Sequence, residues 1–184
     1  VVPHAREKHA RRLLRHDRNR GRGAAVATGI RAARGRYVGY LDIDLEVHCA
    51  YIPPLVRLLE EGNDMAIGDR HYKVRLTALH RHLLSWGFRR LTRSVLGIPP
   101  WDTESGCKFF ARDRILPLLD EARHTGWSWD TEICSLAARH GLRVAQHPVL
   151  FLRDPRKRST LRPVRDTWRM FRALWGLRRV ARGG

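Results

Sequence analysis

The sequence predicts an α/β fold in which a mixed, mostly parallel sheet carries helices on both faces. Strand patterns alternate with helix patterns along the chain, and this alternation is typical of sheets covered on both sides. An acidic pair, Asp42 and Asp44, directly follows a strand pattern. Ligands of such sheets lie beyond the carboxyl ends of the strands. The length of 184 residues fits a single core, which we assign to residues 1–160, with a C-terminal helix at 161–184.

Glycines and prolines mark the ends of the predicted elements. Gly35 and Gly62 follow helical patterns as C-terminal caps, and the pair Pro53 and Pro54 is typical of a helix start. The predicted helices cover 23–34, 53–61, 75–96, 130–141 and the chain from 161 onward. The predicted strands cover 36–41, 64–67, 107–111 and 142–152.

The net charge of +18 is the most prominent feature of the composition. A field of this sign attracts phosphate groups, whether in nucleic acid, in anionic lipid or in a nucleotide diphosphate. The charge alone does not choose among these partners. No zinc-finger, homeodomain or other nucleic-acid motif is present in the sequence, so we expect no nucleic-acid partner, and a basic nucleic-acid-binding module is the alternative from another class.

Three cysteines, Cys49, Cys107 and Cys134, are odd in number and lack the spacing of a zinc site. We therefore expect reduced, structural thiols. No apolar stretch reaches the roughly 18 residues that a membrane span needs, and the first residues do not form a signal-peptide pattern. These observations predict a cytoplasmic location.

Asp42 and Asp44 are the candidate metal ligands. Alternate residues of an extended chain point to the same side, so the two carboxylates are expected to converge. Hard oxygen ligands of this kind suit Mg²⁺ or Mn²⁺, which would also bind the phosphates of a substrate. The alternative is a solvated strand end, since the three-residue pattern alone is common.

Several segments, taken in order, resemble family-two glycosyltransferases of the GT-A fold. Residues 19–23 (Asn-Arg-Gly-Arg-Gly), an Ala-rich helix and residues 41–45 (Leu-Asp-Ile-Asp-Leu) are similar to the central motif of that family. Segments at 67–70, 102–110, 129–133, 147–149, 158–160 and 165–166 resemble later motifs of the dolichyl-phosphate and undecaprenyl-phosphate sugar synthases. Agreement of many weak motifs in one order is more specific than any single one.

The resemblance implies transfer of a hexose from a UDP- or GDP-sugar to a polyprenyl phosphate with inversion. In this scheme Asp44 binds the metal directly, and Asp42 assists at the metal or at the ribose. Arg70 and Lys108 meet the diphosphate or the acceptor phosphate. The developing charge on the departing nucleotide diphosphate is what these cations offset.

Two acidic residues are candidates for catalytic roles. Asp102 is either a general base or a turn residue that bonds to its own backbone. Glu132 either orients the acceptor or complements a helix dipole, and family likeness favours the first reading. The nearby Asp130 is expected to cap the helix that begins there.

Two C-terminal features complete the prediction. In the resembled family a basic loop closes over the phosphates, which implies that role for Arg156, Arg158 and Ser159. The alternative is a solvated charge run. Residues 161–184 form a basic amphipathic pattern with Trp168 and Trp175, which suits peripheral contact with the inner face of a membrane. The alternative is packing on the core.

One departure from the family pattern bears on activity. The family begins with strands that end in Pro-x-Tyr-Asn-Glu and Asp-Asp-Gly-Ser, which hold the nucleobase and the ribose, and neither motif is in this sequence. We therefore expect a chain truncated at its N-terminus. A relative that keeps the fold but has lost activity is the remaining alternative.

Overall fold

The structure is a computed structural model that describes residues 12–72 and 98–152. Three sequence predictions lie outside these residues and stay predictions. They are the helix at 75–96, the basic loop with Arg156, Arg158 and Ser159, and the helix at 161–184.

Four helices and four strands, joined by one short 3-10 helix at Cys49–Tyr51, make up the described chain. The helices are α1 (Arg22–Ala32), α2 (Ile52–Glu60), α3 (Arg112–Glu121) and α4 (Trp129–Arg139). The strands are β1 (Tyr37–Leu41), β2 (Met65–Tyr72), β3 (Cys107–Ala111) and β4 (Val144–Phe151).

The strands form one mixed sheet with the order β1-β3-β2-β4. β3 is antiparallel to both of its neighbours, with Leu41 opposite Cys107 and Ile67 opposite Lys108. β2 and β4 are parallel along their whole length. The sheet is mixed, as predicted. Only one of the three strand pairings within the described residues is parallel, which is fewer than expected.

Helices cover both faces of the sheet, as the alternation of patterns predicted. One core contains α1, α3 and α4 against strand residues such as Val38, Met65 and Phe110. The other core contains α2 against the alternating neighbours Ala66 and Phe109. Adjacent strand residues thus point into opposite cores, as the period of two in a strand requires.

The prediction missed α3 and shortened β2. Pro117 lies inside α3, and an interior proline normally ends a helix because it removes a donor and crowds the preceding turn. β2 continues through Gly68, Asp69 and Arg70 to Tyr72 because it pairs with β4 over all eight residues.

No helix within residues 12–72 and 98–152 has both the length and the hydropathy to cross a bilayer.

The register of the strands defines two ends of the sheet. Leu41 and Cys107 pair at one end, which leads into Asp42 and which we call the Asp42 end. Tyr37 and Ala111 pair at the opposite end, which follows Arg36 and which we call the Arg36 end. Four residue steps of β1 separate the ends by about 13 Å.

Candidate functional site

The acidic pair lies in a turn and not on the strand. β1 ends at Leu41, and the N–H of Leu45 donates to the carbonyl of Asp42 at 3.0 Å. Leu45 has a positive φ of 53°. The prediction that an extended backbone makes Asp42 and Asp44 converge is therefore wrong in its premise, because the chain turns between them.

Asp42 and Asp44 differ in their surroundings. The Asp44 side chain is exposed, and its Oδ1 accepts the N–H of Glu46 at 3.3 Å. The Asp42 side chain is 43% exposed and lies directly over Gly106. A Cβ at Gly106 would be 1.8 Å from Oδ2 of Asp42, so only glycine lets this carboxylate take its position.

Arg22 fixes the carboxylate of Asp42. Its Nη2 and Nε donate to Oδ1 of Asp42 at 2.6 and 3.1 Å, and its Nη1 donates to Oδ2 of Asp130. Burial opposes the charge of this guanidinium, but the carboxylates of Asp130 and Asp42 outweigh burial and raise the pKa of Arg22. Arg22 therefore stays charged and joins the turn after β1 to helix α4.

A close helix contact brings Arg22 to this position. Gly23, the second residue of α1, lies against Trp129 of α4, and a Cβ at Gly23 would be 2.4 Å from the Trp129 Cβ. The N–H of Ala24 also donates to the carbonyl of Thr125 at 3.1 Å. The start of α1 is thus held against the start of α4, and Arg22 extends between them.

Asp130 is the centre of a buried polar cluster and not the helix cap that the sequence predicted. The N-cap residue of α4 is Ser128, and no side chain caps the helix. The Asp130 carboxylate instead accepts hydrogen bonds from Arg22, the Tyr40 hydroxyl and Lys108. Burial, followed by the charge of Asp130, raises the pKa of Tyr40 well above its ordinary value, so its hydroxyl stays a donor.

Lys108 is enclosed by protein. Its side chain is 0% exposed, and its Nζ donates to Oδ1 of Asp130 and to the carbonyl of Thr103, both at 3.0 Å, and to the carbonyl of Ser105. Three donors and three protein acceptors satisfy the ammonium group. The predicted contact of Lys108 with phosphate stays a prediction. In the structure, Lys108 holds the loop at 102–106 through its hydrogen bonds to two carbonyls of that loop.

Arg70 and Asp102 form a second buried pair at the same end of the sheet. Nε and Nη2 of Arg70 donate to the two carboxylate oxygens of Asp102 at 2.7 and 2.8 Å, and the Arg70 backbone N–H adds a bond at 3.1 Å. Asp102 is 1% exposed. Burial would raise the pKa of Asp102, but the hydrogen bonds and charge of Arg70 outweigh it and lower that pKa.

This pairing differs from the predicted turn in which Asp102 bonds to its own backbone. The residue does lie in a turn, but its side chain bonds to Arg70 and not to its own backbone. Gln146 supports it by accepting the N–H of Asp102 at 2.9 Å. Action as a general base stays a prediction, and it would require Arg70 to release a carboxylate whose pKa is already low.

Glu132 holds a neighbouring loop. It is 3% exposed, and its two carboxylate oxygens accept the backbone N–H groups of Arg123 and His124 at 2.9 and 2.8 Å. A role in orienting an acceptor stays a prediction. The contacts in the structure are those of a residue that shapes the chain before α4.

The loop at 102–106 joins these clusters. Arg70 binds its first residue, Lys108 binds the carbonyls of Thr103 and Ser105, and the Asp42 N–H donates to the Gly106 carbonyl at 2.9 Å. The structure therefore brings Asp42, Arg70, Asp102 and Lys108 of the predicted set to one end of the sheet. The sequence analysis assigned no role to Arg22, Tyr40 and Gln146. The local feature that could have indicated a role for Arg22 is its position between two glycines at the start of a predicted helix.

A divalent cation held by the acidic pair would need further ligands from a substrate. Both Arg22 bonds to Asp42 use Oδ1, and Asp44 is exposed. Within residues 12–72 and 98–152, no group of three or more His, Cys, Asp or Glu side chains could hold a metal by itself. Mg²⁺ usually binds through one or two carboxylates together with substrate phosphates, so two acids suffice.

Residues 3–117 match Glycosyl transferase family 2. The chain belongs to this family. The family resemblance predicted from the motifs is confirmed, and with it the assignment to a family of glycosyltransferases.

Similar proteins agree with this family and its fold. A glycosyltransferase of Haloferax volcanii, AglD, is 33% identical over 159 residues, which cover 83% of this chain and 25% of that protein. The dolichyl-phosphate beta-glucosyltransferase of Saccharomyces cerevisiae is 29% identical over 155 residues, which cover 75% of this chain and 46% of the yeast protein.

The fold prediction is confirmed by solved structures. Glucosyl-3-phosphoglycerate synthase from Mycobacterium tuberculosis, crystallised with uridine diphosphate, has a TM-score of 0.57 at 26% identity and covers 86% of this chain and 53% of its own. The same synthase with Mn²⁺, UDP-glucose and phosphoglyceric acid has a TM-score of 0.59 at 22% identity. This family-2 chain therefore spans about half or less of each of these proteins.

Proposed function

We propose that this chain is the donor-binding core of an inverting, metal-dependent glycosyltransferase that moves a hexose from a UDP-sugar to a polyprenyl phosphate. The observation that carries the proposal is the placement of Asp42. This chain belongs to glycosyl transferase family 2, and its Asp42 carboxylate lies just after β1, where Arg22 binds it and Gly106 leaves room for it. The exposed Asp44 follows two residues later.

The reaction is a single displacement. An oxygen of the acceptor phosphate attacks the anomeric carbon, and the bond from that carbon to the nucleotide diphosphate breaks with its electron pair on the leaving oxygen. Attack from the opposite face inverts the anomeric configuration. The acceptor phosphate is already ionised near neutral pH, so the step does not require a strong base, which agrees with the engaged carboxylate of Asp102.

Several residues of the chain would place positive charge near the nucleotide diphosphate, which gains negative charge as its bond to the sugar breaks. Asp42 and Asp44 would hold Mg²⁺ or Mn²⁺, which when bound supplies positive charge next to the diphosphate. Arg22 holds the carboxylate of Asp42 in place through two hydrogen bonds to Oδ1. Lys108 and Arg70 hold the 102–106 loop beside it, so the local charges are arranged before the substrate arrives.

The choice of donor and acceptor rests on the relatives. The synthase at 26% identity was crystallised with uridine diphosphate, which favours UDP over GDP. The name of the yeast relative, a dolichyl-phosphate glucosyltransferase, supports a lipid phosphate as acceptor. Contact with the inner face of a membrane through residues 161–184 is part of the same proposal.

The donor half of the proposal is tested by calorimetry on the 184-residue chain. We expect UDP to bind in Mn²⁺ and not in EDTA, because the metal would hold its diphosphate, and a parallel titration with GDP measures any preference for the base. Asp44→Ala should weaken UDP binding about tenfold or more because it removes a metal ligand. The matched control is Asp120→Ala, an exposed aspartate paired only with Arg31 within the described residues, which should bind as the parent does.

The acceptor half is tested by transfer of labelled glucose from UDP-glucose to undecaprenyl or dolichyl phosphate in detergent. Glucosyl lipid of inverted configuration is the expected product. UDP binding without transfer would favour the alternative of a relative that keeps the fold but not the activity. Equal UDP binding with and without Mn²⁺ would overturn the metal assignment.

A further inference from the structure

An open cavity at the Arg36 end of the sheet has no role in the proposed transfer. Its volume is about 510 Å³, and it lies where β1 begins, β3 ends and β2 follows Asp64. This size falls within the range of small-molecule sites. The cavity is separated from Asp42 by the length of β1, about 13 Å.

Positive charge dominates the lining of this cavity. Two aspartates, Asp64 and Asp113, line it together with five arginines, so its net formal charge is three positive. The arginines are Arg34, Arg36, Arg112, Arg114 and Arg143. They come from the α1–β1 connection, from the first turn of α3 and from the residue before β4, so the fold, and not one local run, collects them.

Three of the five arginines already have protein partners. Arg114 and Arg143 contact the two carboxylate oxygens of Asp64 at 3.3 and 3.7 Å. Arg112 donates through Nε to the carbonyl of Ala33 at 2.8 Å. Arg114 and Arg143 therefore neutralise the charge of Asp64, and the three contacts hold the wall of the cavity in place.

The other two arginines are available for a ligand. Arg34 and Arg36 are exposed, and within residues 12–72 and 98–152 their side chains have no hydrogen-bond or ion-pair partner. Guanidinium groups bind phosphate through two parallel hydrogen bonds, and several such groups around one cavity match a phosphate or a diphosphate.

We propose that this cavity is a second phosphate-binding site, distinct from the site at Asp42 and independent of a divalent metal. Its ligand is a phosphate-bearing anion, which can be a soluble diphosphate or the headgroup of an anionic phospholipid. Arg34 and Arg36 are the residues that contact it. This inference does not depend on the proposed transfer reaction, because it involves none of the residues at the Asp42 end.

The test uses inorganic pyrophosphate in EDTA, so that metal-dependent binding at Asp42 does not contribute. We expect calorimetry to detect binding to the parent chain and a loss of affinity of about tenfold or more in Arg34→Ala/Arg36→Ala. The matched control is Arg15→Ala/Arg18→Ala, which removes the same charge from two exposed arginines outside the cavity. Metal-dependent UDP binding should be unchanged in both variants.

Vesicles with and without phosphatidylglycerol, also in EDTA, distinguish the two sources of phosphate. Loss of pyrophosphate binding alone in the cavity variant identifies a soluble ligand, and loss of pelleting with the anionic vesicles identifies a headgroup. The inference is overturned if the cavity variant matches its control in both assays, because the phosphate would then respond only to the overall charge of the chain. A failure of UDP binding in Mn²⁺ would count against the proposed function and not against this site.

Discussion

The two ends of the sheet hold positive charge in different ways. At the Asp42 end, the side chains of Arg22, Arg70 and Lys108 are 17%, 13% and 0% exposed, and each contacts a carboxylate. At the Arg36 end, Arg34 and Arg36 are exposed and lack side-chain partners within the described residues. The net charge of +18 therefore has two uses, since paired cations fix the geometry of a site and unpaired cations can attract an anion.

The largest effect is expected where the cations are buried with one shared acid. Asp130→Ala leaves Lys108 and Arg22 without that acid, and breaking a buried pair in this way costs about 3 to 5 kcal/mol of unfolding free energy. Urea denaturation measures it. Asp120→Ala, which breaks an exposed pair, should cost no more than about 1 kcal/mol. If both variants lost the same unfolding free energy, the cluster around Asp130 would be no more shielded from water than the exposed pair of Asp120.

The pair of Arg70 and Asp102 should make stability depend on pH. Folding lowers the pKa of Asp102, so the stabilisation is complete above about pH 4, the ordinary aspartate value, and is lost as the pH falls through the folded-state pKa. The parent should exceed Asp102→Asn by about 3 kcal/mol at pH 7. Urea titrations at several pH values measure this difference, and a gap that persists or grows in acid would contradict the assignment.

Gly106 should be essential for the position of Asp42. In Gly106→Ala the new Cβ would overlap the Asp42 carboxylate, so we expect metal-dependent UDP binding to fall by about tenfold or more. Gly29→Ala in α1 is the control, since its Cβ meets no atom within 4 Å. Calorimetry should show unchanged binding in this control, with stability raised by about 0.5 to 1 kcal/mol because alanine favours a helix. Parental UDP affinity in Gly106→Ala would mean that Asp42 is not held where the structure places it.

The smallest effect is expected at the Arg36 end. Arg34→Ala/Arg36→Ala breaks no side-chain contact of the described chain, so its unfolding free energy should stay within about 0.5 kcal/mol of the parent. The same urea denaturation measures it. A loss comparable to that of Asp130→Ala would remove the distinction between the two ends and would mean that these arginines stabilise the fold.

Much of the fold could be predicted because its signals are local. The strand Cys107–Ala111 was predicted to the residue, since Gly106 ends the preceding loop and an apolar run follows. Helix α3 was missed because Pro117 contradicts it locally, although Ile115 and Leu118 are buried against the sheet. Tertiary packing therefore outweighed the local preference there.

The candidate site was less predictable because its contacts are distant in sequence. Arg22 and Asp130 are separated by 108 positions, and no local pattern links them. The turn after Asp42 depends on a positive φ at Leu45, a conformation that a leucine sequence does not signal. The residues of the motifs could be named from the sequence, but the partners that fix them required the coordinates.

The most direct test of the metal assignment is electron paramagnetic resonance of Mn²⁺ titrated with the chain. We predict that the signal of free Mn²⁺ falls when chain and UDP are present together, with one ion bound per chain, and that Asp44→Ala leaves it unchanged. If Asp44→Ala binds Mn²⁺ and UDP as tightly as the parent, the acidic pair after β1 does not hold the metal and the proposed site is wrong.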